Sequence, residues 1–336
     1  MIKKIGILAT IMSLFLLVLG PAPLQAQSGL AILNASTVAE FPLKLNFSMS
    51  AKSDVNITDI RLHYKVDQES FADVTSEVFI EFTPATTVNA VWTWDMRKTG
   101  GLPTGASLEY WWTAKDSQGD SVASTPTRVR FDDNRYSWQS LTEGNVTIYW
   151  YEGKQDFANS IMTAAQQALT QLTQSTGAYL KKPIKIYVYA DAQDLQGAMI
   201  FPQEWTGGVA FTNYGIINIG IGAENIVWGR RAIAHELTHL VVHQMTFNPY
   251  GGLPTWLDEG LATYNEGALD VGYANILRQA VTENKLITVR TLSSAFSTDA
   301  QKAYLSYAES YSLVEFLITT YGRDKMLELL TTFNQG

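Results

Sequence analysis

From about residue 40 to 131, hydrophobic and polar positions alternate with a period of two. That is the period of an extended chain whose side chains point to opposite faces of a sheet. In FPLKLNFSM, residues Phe41, Leu43, Leu45, Phe47 and Met49 share one face. In IRLHYKV, Ile60, Leu62, Tyr64 and Val66 lie on one face, and Arg61, His63 and Lys65 on the other. VWTWDM and LEYWWTA continue the pattern through Trp92, Trp94, Leu108, Tyr110 and Trp112. The clusters SAKSD, RKTGGLPTG and DSQGD read as the turns between these runs. Six or seven short strands with Gly, Pro and Asp turns predict an all-β, immunoglobulin-like antiparallel sandwich. His63 is expected as a solvated strand residue. Asp116 and Asp120 of DSQGD could hold calcium, although a plain hairpin turn explains the same residues.

The pattern changes after FDDNRYSWQSLTEG, residues 131–144, which read as a junction. NVTIYWYEG is a strand. The stretch 155–177 then carries Phe157, Ile161, Ala165, Leu169 and Leu172 at helical spacing and ends on Gly177. IKIYVYA, GGVAF and GIINIGIG are three further strands, followed by an apolar helix. This order predicts an α+β second domain. The division is 27–135 for the β-sandwich and 136–336 for the α+β domain. Residues 1–26 read as a signal peptide: Lys3 and Lys4, then the apolar stretch Ile5 to Leu19, then prolines and Leu24-Gln25-Ala26 as a cleavage site.

Charge and cysteine content narrow the partners. Loss of Lys3 and Lys4 with the signal takes the formal charge from −8 to −10. So acidic a chain is not expected to bind nucleic acid or an anionic membrane surface, and no stable membrane insertion is expected after signal cleavage. The chain has no cysteine. An exported chain without disulfides must draw its stability from buried core.

The chemistry concentrates in the apolar helix. Within RRAIAHELTHLVVHQM, the pentapeptide HELTH holds two of the four histidines of the chain. Residues four apart lie one above the other on a helix, so His235 and His239 can offer ring nitrogens to one Zn²⁺. Glu236 then points beside the metal, where a general base toward water belongs. Two imidazoles and a carboxylate in so apolar a helix would be costly without a partner. A catalytic zinc usually takes a third protein ligand. The downstream stretch GGLPTWLDEGLATYNEG offers Asp258 and Glu259. His243, one turn beyond His239, lies too far along the helix to share the metal and reads as a packed or supporting residue.

That downstream stretch resembles the gluzincin metallopeptidases. The matching pattern W-L-x-E-G-x-A-x-Y is carried by Trp256, Leu257, Glu259, Gly260, Ala262 and Tyr264. From about residue 136 onward the chain is similar to the bacterial peptidase MA-like branch of that clan. The resemblance implies a thermolysin-like catalytic domain with Glu259, not Asp258, as third zinc ligand, which leaves Asp258 the weaker alternative. It also implies an oxyanion-stabilising tyrosine near the start of a helix that ends on an aromatic and a glycine. Counting back from Tyr321-Gly322 gives Tyr307, with Tyr311 and Tyr304 behind it. In gluzincin aminopeptidases a glutamate on the edge strand reads the free amine of the substrate. In GGVAF that position is Ala210, and Glu204 and Glu224 stand out of register with it. The expected protein is therefore a secreted zinc metallopeptidase acting on peptides or proteins, as an endopeptidase. A surface-binding protein with a structural zinc and a zinc hydrolase of a non-peptide bond are the other two classes that the motif allows.

Overall fold

The computed structural model describes residues 29–202 and 206–336. The signal segment 1–26 and Glu204 lie outside the described residues. Seven strands make up the first half: β1 (Ala31–Glu40), β2 (Lys44–Val66), β3 (Ser76–Phe79), β4 (Ala85–Asp95), β5 (Ala106–Asp116), β6 (Ser121–Ala123) and β7 (Thr127–Phe131). All belong to one hydrogen-bonded network, and β2 is its spine. Lys44–Lys52 of β2 lies between β1 and β4, whereas Arg61–Tyr64 lies between β3 and β5.

SAKSD is therefore not a turn. The chain stays extended through it, with a break in register between Lys52 and Ile57. A bulge of this kind bends a strand without ending it, and polar residues there look locally like a turn. Ser53 is buried at the bend and donates its hydroxyl to Asp116 Oδ2 at 3.1 Å. The bend folds the two halves of the sheet face to face. Phe47 meets Tyr110 with ring centroids 5.1 Å apart, and Tyr64 meets Trp94 at 4.9 Å. Between the layers lie Leu45, Phe47, Met49, Ile60, Leu62 and Trp112, all buried, as the period of two requires. In DSQGD, Asp116 Oδ1 accepts the N–H groups of Gln118 and Asp120, so its carboxylate closes the turn. His63 lies on the outer face, stacked on Trp111.

The second half begins with a five-stranded sheet in the order β11-β12-β10-β9-β8. Its strands are β8 (Gln139–Glu143), β9 (Val146–Trp150), β10 (Ile184–Tyr189), β11 (Gly208–Phe211) and β12 (Ile216–Gly220). The strands β9, β10 and β12 are parallel; the edges β8 and β11 are antiparallel. β8 falls in the segment read as junction. Its sequence QSLTE is almost wholly polar because an exposed edge needs little apolar surface. The helices are α1 (Gln155–Thr176), α2 (Ala192–Gln196), α3 (Ile226–Thr246), α4 (Thr255–Asn265), α5 (Val271–Thr282), α6 (Val289–Leu292), α7 (Ala300–Tyr321) and α8 (Arg323–Gln335). One core joins β9, β10, β12, α1 and the first half of α3; a second joins the remainder of α3 to α4, α7 and α8. HELTH sits where these two cores meet.

The two halves of the chain are joined by buried polar contacts. Tyr189 OH lies 2.7 Å from Thr104 Oγ1 and donates to Asp133 Oδ2 at 3.1 Å. Asn218, fully buried in β12, donates to Thr104 Oγ1 at 3.2 Å. Gly105 has φ +80°, and a Cβ there would meet the Tyr187 hydroxyl at 1.9 Å. Glycine is what lets the halves close at this point. No helix among the described residues is long and apolar enough to cross a membrane.

Candidate metal centre

Helix α3 is apolar nearly all round and is buried by α1, the sheet, α4 and α8. Its polar residues are therefore placed by the fold rather than by solvent. His235 and His239 lie one turn apart with their rings edge to face, centroids 4.9 Å. Both turn Nε2 toward a single oxygen of α4: Glu259 Oε2 lies 3.3 Å from His235 Nε2 and 3.7 Å from His239 Nε2. His235, His239 and Glu259 form the one group of metal-ligating residues found among the described residues, each offering one ligand atom within 4.8 Å of the others.

The other ring nitrogens are held from behind. His235 Nδ1 donates to Glu266 Oε1 at 2.8 Å, and Arg231 donates to Glu266 Oε2 at 3.1 Å. His239 Nδ1 stands 3.1 Å from Asp258 Oδ2. A carboxylate on Nδ1 fixes the tautomer that leaves Nε2 free for a metal. Asp258, the alternative ligand, is thus placed behind His239, and Glu259 is placed at the cluster. Glu266 is a residue that reading the sequence missed. The signal was available: it follows Glu259 by seven residues, two turns along the same face of α4.

Electrostatically the cluster calls for a cation. Burial opposes charge on His235, but the neighbouring carboxylates of Glu259 and Glu266 outweigh that and raise its pKa to about 10. Burial likewise opposes charge on His239, and Asp258 more than offsets it. Glu259 Oε2 is buried with no hydrogen-bond partner. An orphaned carboxylate oxygen facing two imidazole nitrogens is a donor set that fits Zn²⁺. Glu236 projects toward Gly208 of β11. Burial is the main influence on Glu236 and pushes its pKa up. A Cβ on Gly208 would stand 3.0 Å from Glu236 Oε1. β11 is the edge of the sheet, as GGVAF was read.

Three tyrosines were candidates on α7, and they separate clearly. Tyr304 is 45% exposed. Tyr311 is buried against Tyr264, its hydroxyl 3.3 Å from Glu315. Tyr307 alone of the three faces the cluster, 6.3 Å from the His235 ring centre to centre. Its hydroxyl pKa is pushed up by burial first, then by Glu259 and Glu236. Tyr273 of α5 stacks beside it and was not anticipated. Tyr307, Tyr273, Glu236, His235 and Gly208 line a cavity of about 510 Å³. On the other side of the cluster His239, Asp258, His243 and Thr212 line a second cavity of about 470 Å³. His243 takes no part in the cluster: its Nε2 lies 3.8 Å from Glu69 of the first half. Glu224 is exposed in the turn before α3, where it accepts from Asn225.

A helix-borne HExxH with a glutamate from the next helix and an edge strand alongside defines the zinc metallopeptidase class. The chain belongs to the Peptidase MA superfamily, whose family model matches residues 164–336. No curated protein matches the chain. Among solved structures, an aminopeptidase N family protein from Idiomarina loihiensis is similar at 9% identity and a TM-score of 0.42, over 89% of this chain and 69% of that one. An M1 zinc metallopeptidase from Deinococcus radiodurans is similar at 12% identity and a TM-score of 0.36, over 89% and 83%. OgpA from Akkermansia muciniphila, solved with an O-glycopeptide substrate, is similar at 8% identity and a TM-score of 0.24. That match spans 32% of this chain and only 30% of OgpA.

Proposed function

We propose that this metallopeptidase is a secreted endopeptidase in which His235, His239 and Glu259 hold Zn²⁺, Glu236 is the general base and Tyr307 steadies the oxyanion. The observation that carries the reading is the convergence of both Nε2 atoms on an unpartnered Glu259 Oε2, with Glu236 one residue along the helix. Zinc in such a site supplies Lewis acidity, lowering the pKa of water from 15.7 to about 7. Glu236 takes the proton from the attacking water. The same carboxyl then delivers it to the amine as the C–N bond breaks. Its raised pKa suits both roles, since an acid–base group works best near the ambient pH. Tyr307, kept protonated by burial, donates its O–H to the oxygen of the tetrahedral carbon.

The endopeptidase reading rests on the edge strand. An aminopeptidase needs a free carboxylate beside the metal to bind the α-ammonium group of its substrate. Ala210 offers none. Asp258, which lines the cavity on that side, is engaged with His239, and Glu69 of the loop after β2 with Lys182 at 2.5 Å. The expected substrate is an extended stretch of peptide or protein laid along β11. N-acetylated peptides should be cleaved at rates comparable to their free-amine forms, and amino-acid p-nitroanilides slowly. Rapid release from free-amine substrates with blocked peptides untouched would overturn the endopeptidase assignment.

The first half we read as an immunoglobulin-like sandwich, supported by the two stacked layers about the β2 bend. Residues 1–26 support export, and the absence of cysteine is compatible with it.

A further inference from the structure

We propose that the β-sandwich supplies part of the substrate site: loop 67–75, through Phe71, forms with Phe247 an apolar subsite for a large side chain upstream of the scissile bond. This rests on the endopeptidase reading above and deepens it.

The direction of the substrate comes first. A peptide added to a sheet edge pairs most favourably antiparallel. β11 runs from Gly208, beside Glu236, toward Phe211 and Thr212. An antiparallel peptide therefore places the residues after the scissile bond by Gly207 and Gly208, in the cavity lined by Tyr307. The residues before it lie by Ala210 and Thr212 and enter the cavity lined by His239 and His243.

That upstream cavity does not stop at the catalytic half. Thr212 also lines a neighbouring cavity of about 330 Å³, whose walls include Asp67 to Glu69 and Lys182. The loop after β2 is fastened there. Glu69 N–H donates to Asn213 O at 2.6 Å, and Glu69 Oε1 accepts from Lys182 Nζ. Beyond Glu69 the loop lays Phe71 flat on Phe247, ring centroids 4.0 Å apart and planes within 7°. Phe247 lines the upstream cavity together with Val242, Leu253 and Tyr250. Phe71 remains 56% exposed and Tyr250 81% exposed. Phe247 and Tyr250 line the cavity that His239 enters, and the exposed Phe71 ring extends that aromatic surface through Phe247; such surface is suited to an apolar side chain of the substrate.

The test uses the full-length, zinc-loaded protein. A peptide library is digested by wild type, Phe71→Ala, Phe71→Leu and Phe247→Ala, and matched peptides with a large apolar or a small residue two to four positions upstream are compared. Binding of the same peptides to the Glu236→Gln variant, with and without Phe71→Ala, is measured separately. Loss of the Phe71 ring should raise KM for the large apolar series about five- to tenfold. The value of kcat, the zinc content and the KM of peptides that begin at the scissile residue should stay unchanged. Phe71→Leu should recover part of the loss. Cleavage by wild type with the same upstream profile and KM in both alanine variants would falsify the subsite and leave the peptidase reading standing. A wild type that neither cleaves nor binds any peptide overturns both.

Discussion

Each side chain of the cluster has a role that one substitution isolates. His235→Ala, His239→Ala and Glu259→Ala should each lose stoichiometric zinc, measured by metal analysis. Glu236→Gln should keep it and abolish peptide cleavage, because it removes the base and leaves the donors. Full zinc in Glu259→Ala would shift the third ligand to Asp258. Glu266 touches no metal donor atom directly but holds His235 by Nδ1. Glu266→Gln should therefore weaken zinc binding about 10–100-fold, read by competition with a chromogenic chelator. For Tyr307→Phe the expected loss is roughly 10²–10³-fold in kcat with KM nearly unchanged, as for removal of one oxyanion donor. An equal effect from Tyr311→Phe would sink the assignment.

The site is rigid because α3, α4 and α7 are locked together. Thr238, one of the two variable residues inside HELTH, donates to Ala234 O and accepts from Asn265 at the end of α4 at 2.9 Å. Asn265 also donates to Ala168 O in α1. The helix pair α4 and α7 meets at Gly260, immediately after Glu259 of the cluster. A Cβ there would stand 2.5 Å from Ser310 O, a backbone atom that cannot swing aside. Gly260→Ala should cost about 1–3 kcal/mol through overpacking. It should also push Glu259 off its position, so thermal melting and zinc affinity should fall together. A variant that melts like wild type would show that α7 can yield. The glycine of the E-G pair is thus a packing requirement of the helix crossing.

At the scale of the molecule, the core of the first half, the cores of the second half and the junction between them divide the stability. The first half buries its own apolar face, and among the described residues Ile200 and Tyr214 of the second half pack against that core. Residues 27–135 expressed alone are expected to unfold in one cooperative thermal transition, unmoved by chelator. Thr104 and Asp133 would then be hydrated in place of bonding Tyr189. In the full chain, zinc should raise the melting temperature through preferential binding to the folded catalytic half. At a free concentration a thousandfold above Kd this contributes about 4 kcal/mol. A fragment whose melting responds to chelator would show that the boundary is misplaced.

Much of the site was legible before any coordinates, because it is written in short-range spacing. HELTH puts two imidazoles on one helical face wherever the helix lies, and an apolar helix must be buried with whatever polar groups it carries. The alternation in IRLHYKV likewise requires a sheet face. The sequence alone could not show that SAKSD is a bend inside β2, since a bulge and a turn use the same residues. The family resemblance put Tyr307 ahead of Tyr311 and Tyr304, but the helical stripe that the three share could not separate them. Packing of α7 on α4 and α5 decided that, exposing one, burying one and aiming the third. The roles of Glu266 and Asp258 depend on which nitrogen of each histidine they reach, which is fixed by how α4 crosses α3. Glu69 and Phe71 lie more than 160 positions from HELTH. Their arrival beside Lys182, His243 and Phe247 follows from the docking of the two halves. Local pattern determined the elements and the donor residues. Only the tertiary contacts between distant segments determined orientation, support and the shape of the groove.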